Sequence, residues 1–141
     1  MADGRGFLAM LALGASGVIM GTRLLLTDEC PIHPDLKAAL VKATELDTML
    51  IMQSINSTHR VWKNEAALKT AELEAKGGSL QDLLQYIGGD KARSMFHEGK
   101  IDSGTIATGQ CIGLVREVRP MKEVINGIIK EAAELRDSLG N

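Results

Sequence analysis

Residues 17–25 read GVIMGTRLL. Val18, Ile19 and Met20 stand between two glycines and run into Gly21-Thr22-Arg23. An apolar run this short, bounded by glycines, reads as a strand buried on both faces rather than as a helix. Just upstream, Asp3 can cap a helix by accepting from the free amides of its first turn. That helix is expected over about Gly4–Leu13, with Gly14 as its stop. Phe7, Met10 and Leu11 share one face, but Leu8 and Leu13 lie off it, so the helix should be buried broadly or packed on a sheet. Helix, glycine turn and buried strand together make one segment of an α/β fold with parallel strands.

The apolar run from Phe7 to Leu26 is long enough to cross a bilayer. Arg23 inside it is costly in lipid, and Gly14, Gly17 and Gly21 interrupt it. A secretory leader fits no better, because Asp3 weakens the positive start and the apolar run resumes after Ala15-Ser16-Gly17. The segment is therefore read as part of a globular fold.

The rest of the chain is mostly helical in pattern. Pro31 and Pro34 mark a loop, and Asp35 to Thr44 follows as a helix. Thr48 to Met52 is a second strand candidate. A helix capped by Asn64 runs to Gly77-Gly78. Shorter helices are expected over Ser79 to Tyr86 and Asp90 to Glu98, each started by its capping residue. Pro120 opens a last helix, in which Met121, Val124, Ile125, Ile128, Ile129, Ala132, Leu135 and Leu139 keep helical spacing.

Composition excludes several classes. Sixteen Lys and Arg against 18 Asp and Glu give a net charge of −2 in 141 residues. Neither nucleic acid nor an anionic surface is implied as the main partner. Aromatic content of 3% leaves little for base stacking, and 45% hydrophobic content argues against disorder. Cys30 and Cys111 match no metal or disulfide framework and suit a reducing cytoplasm. Asp47 and Asp102 show no partner for acid–base work. Glu72 and Glu74 read as solvated, and Cys111, among apolar neighbours, as a packing thiol.

A parallel strand that ends in Gly-Thr presents a backbone amide at its carboxyl end, the edge where α/β folds bind ligands. Glycine lets an anion approach the main chain, and the threonine hydroxyl adds a donor. Residues Thr22 to Leu25 can begin a helical turn whose amides favour an anion. The Asp3-Gly4 loop is a second such element, one helix away. A lone Gly-Thr after a strand is more often a plain tight turn.

Residues 2–30, ADGRGFLAMLALGASGVIMGTRLLLTDEC, resemble the nitronate monooxygenase family, formerly called 2-nitropropane dioxygenases, with its FMN-dependent enoyl-reductase relatives. Weaker matches follow at THRVWKN (58–64) and ATGQCIGLV (107–115). The resemblance implies the C-terminal portion of a (β/α)8 TIM barrel, mostly helical with two or three short strands. On that pattern residues 1–26 are the last segment of the barrel and carry half of an FMN phosphate site. Residues 27–141 form a helical region over the barrel mouth. Met20, Gly21 and Thr22 would hold the phosphate, with Asp3 and Gly4 nearby. Gly109 and Gln110 would lie near the flavin ring or substrate. The implied reaction is oxidation of alkyl nitronates by dioxygen. The family's catalytic histidine lies upstream of the matched segment, and His33, His59 and His97 do not correspond to it. Such barrels take roughly 250 residues and eight strands. The chain alone is therefore expected to be inactive, and its open strand edges to invite self-association or a complementing barrel chain. The alternatives are a non-catalytic helical interaction module and one half of a split flavoenzyme.

Overall fold

The computed structural model describes residues 1–140. It is mostly helical, with a single two-stranded sheet among those residues. Asn141, the last residue of the region 27–141, lies outside them. Helix α1 spans Gly4–Ala12, and Asp3 caps it as expected, its carboxylate accepting from the Gly6 amide at 2.9 Å. Gly14, with φ +95°, turns the chain out of the helix.

The strand expected at Gly17 to Met20 does not form. These residues form no regular element and pair with no other strand, and the Ile19 side chain is 99% exposed. A strand needs neighbours to take its amides and carbonyls, and no segment of residues 1–140 lies alongside it. The same reason explains a second difference. Helix α1 rests on another helix rather than on a sheet, so only Gly4 of it is buried, and Leu13 is 81% exposed.

That other helix is α7, Met121–Leu139. Gly4 meets α7 at Ile128–Ala132, and Ala12 shares an apolar groove with Leu135 and Leu139, so α1 and α7 run in the same direction. Only the stripe Val124, Ile128 and Ala132 of α7 is buried. Ile129 and Leu139, on the expected apolar face, remain exposed.

Helix α2, Thr22–Leu25, leads to α3, Pro34–Lys42, whose Leu36 and Leu40 enter the main core. Leu26, Met95, Ile106 and Ile112 complete the centre of that core. Strand β1, Thr48–Ile51, pairs antiparallel with β2, His59–Trp62. The first was expected; the second, only four residues long, was not. Asn64 caps α4, Glu65–Ala75, accepting from the Ala67 amide. Ser79 caps α5, Leu80–Ile87, in a reciprocal box with Asp82. Helix α6, Gly89–Glu98, starts after Gly88 with no side-chain cap, one residue before the expected start at Asp90. Residues Ile51, Val61 and Ala67 form a second, smaller core. No helix among the described residues is long and apolar enough to cross a membrane.

Candidate functional site

Thr22 and Gly109 meet directly. The Gly109 amide donates to Thr22 Oγ1 at 2.9 Å, joining residues 87 apart in sequence. Gly109 ends an extended segment and precedes the 3-10 turn Gln110–Leu114, which packs on α2. Gln110 is exposed at the start of that turn.

Gly21 sits beside this junction with its carbonyl accepting from Leu24 and Leu25, which starts α2. On the side where a Cβ would stand, no heavy atom lies within 4 Å. A group can therefore approach the main chain at Gly21 unobstructed. Met20, half-buried, precedes it.

The next residue, Arg23, is only 8% exposed and donates to the Leu26 carbonyl at 3.1 Å. Burial lowers its pKa, Arg119 lowers it further, and Glu117 pulls it back up. Arg119 is ion-paired with Glu117. Asp3, Arg23 and Arg119 line one cavity of about 210 Å3. The Gly4 amide, however, donates to Glu131 Oε2 at 2.7 Å and is taken up by α7.

Two of the three histidines hold local structure. His33 Nδ1 accepts from the Asp35 amide at the start of α3, and its ring packs on Gly99, whose φ of +71° suits glycine. His59 Nδ1 lies 2.7 Å from the Ser57 carbonyl, which can only accept, so Nδ1 is the donor. His97 is exposed on α6. Asp47 and Asp102 take structural hydrogen bonds: Asp47 accepts from the amide and hydroxyl of Thr44, and Asp102 from the Glu65 amide. Cys30 and Cys111 are free, half-buried thiols.

Sequence reasoning missed a cleft of about 200 Å3 beside the β1–β2 hairpin, lined by Ile51, Met52, Val61 and Ile87 with His59 and Ala107 at its edge. Its only local signal was the inward Val61 in the run His59 to Trp62. One wall is held by Glu74, which was expected to be solvated. Its carboxylate accepts from the Met52 amide at 2.7 Å and from the Ser54 amide and hydroxyl at 2.9 Å each. Met52 is thereby kept at a positive φ of 62°.

Burial disfavours the Glu74 carboxylate, but the hydrogen bonds from Ser54, Met52 and Gln53 outweigh that and bring its pKa below the ordinary 4.5. A carboxyl with a depressed folded pKa stabilises fully above the unfolded value and loses that contribution as pH falls through the folded one. The 52–54 loop should therefore loosen as pH drops below 4.5. Hydrogen exchange at the Met52 and Ser54 amides is expected to accelerate relative to the core there, after correction for intrinsic rates. Glu74→Gln should loosen the loop at every pH and remove the pH dependence. Equal protection of both amides above and below that range in the wild type would refute the clamp.

The antiparallel hairpin, the helices around it and the Gly21-Thr22 junction make a mostly helical α/β segment. The chain belongs to the nitronate monooxygenase family, whose model matches residues 1–131. It is similar to FabK from Thermotoga maritima, with a TM-score of 0.90 and 34% identity over 99% of this chain and 44% of that one. It is 28% identical to the (3aS,4S,5R,7aS)-5-hydroxy-7a-methyl-1-oxo-octahydro-1H-indene-4-carboxyl-CoA dehydrogenase of Rhodococcus jostii, covering 98% of this chain and 49% of that protein. Similarity to the nitronate monooxygenase of Neurospora crassa is 24% identity over 95% of this chain and 36% of that enzyme. The chain thus spans half or less of the length of these relatives.

Proposed function

We propose that this chain supplies one side of an FMN site in a nitronate monooxygenase-like oxidoreductase that oxidises alkyl nitronates with dioxygen. The phosphate lies against Met20, Gly21 and Thr22, with Asp3 and Gly4 behind that loop, and Gly109 and Gln110 border the ring and substrate. The hydrogen bond from the Gly109 amide to Thr22 Oγ1 carries this reading, because it brings phosphate-side and ring-side residues to one point. The open space over Gly21 fits the close approach of a phosphate. When bound, the flavin supplies the redox chemistry, and the protein's part is to position it and exclude competitors. On this reading residues 1–26 carry the phosphate side and the rest of the chain covers the barrel mouth.

No catalytic base is assigned within residues 1–140, so this chain alone is expected to bind flavin without turning over nitronate. The second reading, a helical interaction module, draws on the exposed Leu13 and Ile19 beside α1. Apolar surface of that kind marks a docking face.

Flavin binding separates the two. FMN should bind more tightly than riboflavin, since only FMN carries the phosphate. Gly21→Asp should weaken FMN at least about tenfold, ~1.4 kcal/mol, by placing a carboxylate against the phosphate. The open space at Gly21 leaves the fold unaffected, which an unchanged thermal melt verifies. Equal FMN binding by Gly21→Asp and wild type would remove the site from this loop, and no flavin binding at all would favour the interaction module.

A further inference from the structure

The extended segment from Thr105 to Gly109 links the hairpin cleft to the Thr22 junction. It lies along β2: Trp62 donates to the Ile106 carbonyl, Thr108 to the Arg60 carbonyl, and Ala107 bridges to Val61. Side chains of an extended segment alternate between faces. Ile106 and Thr108, 4% and 1% exposed, are buried on one side. Thr105 and Ala107 line the cleft on the other. Gly109 continues that second face, two residues or roughly 7 Å beyond Ala107, and there it meets Thr22.

The cleft is lined by Ile51, Met52, Val61 and Ile87 with His59 and Thr105, and the small, exposed Ala107 stands at its edge. Its volume is about 200 Å3. An apolar cavity of roughly 150 Å3 holds benzene, so this one suits a group of about six to eight carbons. The Ile51 and Val61 walls belong to the second core and are fixed in place, and Glu74 holds the Met52 wall.

We propose that this cleft receives the apolar arm of the substrate whose reacting end lies at Gly109. The assignment rests on the flavin reading above. It makes the substrate a compound with a medium-length alkyl chain or a ring, and it makes Ala107 and Ile87 specificity-determining residues. Short nitronates leave the cleft unfilled.

Methyl-resolved NMR of the full chain, titrated with nitroethane, 1-nitrobutane and 1-nitrohexane, tests this. Shifts are expected at the Ile51, Val61 and Ile87 methyls, with affinity rising about three- to fourfold per added methylene. Ala107→Phe should abolish the length dependence by filling the mouth. Ile87→Phe, from another wall, should do the same, so misfolding of one variant does not decide the matter. Length dependence that survives in a folded variant, or shifts centred instead on Leu8 and Leu135 in the α1–α7 groove, would overturn the proposal. FMN is titrated separately against wild type. If FMN binds but chain length has no effect, the cleft assignment alone falls. If chain length matters but FMN does not bind, the cleft holds alkyl groups and its role as a substrate arm site falls.

Discussion

Asn64→Ala is expected to destabilise the fold by about 2–4 kcal/mol. Asn64 is 5% exposed and serves two segments at once. Its Oδ1 accepts from the Ala67 amide and caps α4, and its Nδ2 donates to the Ile101 and Gly104 carbonyls at 2.7 and 2.8 Å. Loss of a cap costs about 1 kcal/mol, and each carbonyl left without its donor about 1 kcal/mol more. Asn64→Asp separates the two roles. It keeps the cap acceptor but turns a carboxylate oxygen toward two carbonyls, so it should rescue little. Urea unfolding with an unchanged slope would register both losses as midpoint shifts. Faster hydrogen exchange over 105–109 would show that Asn64 also positions the segment that reaches Thr22. A shift below ~0.5 kcal/mol in both variants would contradict this role.

Gly4→Ala is expected to cost about 1–3 kcal/mol through overpacking. A Cβ at Gly4 would lie 2.6 Å from Glu131 Cβ and 2.7 Å from both the Ala132 nitrogen and the Ile128 oxygen. Two of those three are backbone atoms of α7, which cannot swing aside. Helix α1 must lift, and the 2.7 Å bond from the Gly4 amide to Glu131 is lost with it. Because α1 packs chiefly on α7, the loss should be local. Amides of α1 would exchange faster while those of α4 and the hairpin keep their protection. Full retention of α1 protection in Gly4→Ala would show that the close approach does not hold in solution.

What the sequence made legible was local. Asp3, Asn64 and Ser79 announce their helices because a cap is satisfied within three residues, by Gly6, Ala67 and Asp82. Strand formation is a different matter. Val18 to Met20 has the composition of a buried strand, yet burial and pairing depend on segments elsewhere, and within residues 1–140 none pairs with it. The run His59 to Trp62 carries the polar side chains of His59 and Arg60 in four residues and pairs only because β1 lies opposite. Glu74 reads as a surface residue on a helix, and only the fold returns the 52–54 loop to it across 20 residues. At the site, Thr22 and Gly109 were each marked by family resemblance, but their hydrogen bond across 87 residues is a property of tertiary structure alone. The Ile51–Ile87 cleft left almost no trace, since its walls come from four separate segments.

The central claim is that the Gly21-Thr22 loop and Gly109 face one flavin. Amide-resolved NMR of the full chain with FMN and with riboflavin tests it most directly. FMN is expected to shift the Gly21, Thr22 and Gly109 amides together. Riboflavin, lacking the phosphate, should move Gly109 and leave Gly21 and Thr22 nearly unchanged. Shifts confined to residues away from this junction, or identical shifts at Gly21 and Thr22 with both ligands, would contradict it.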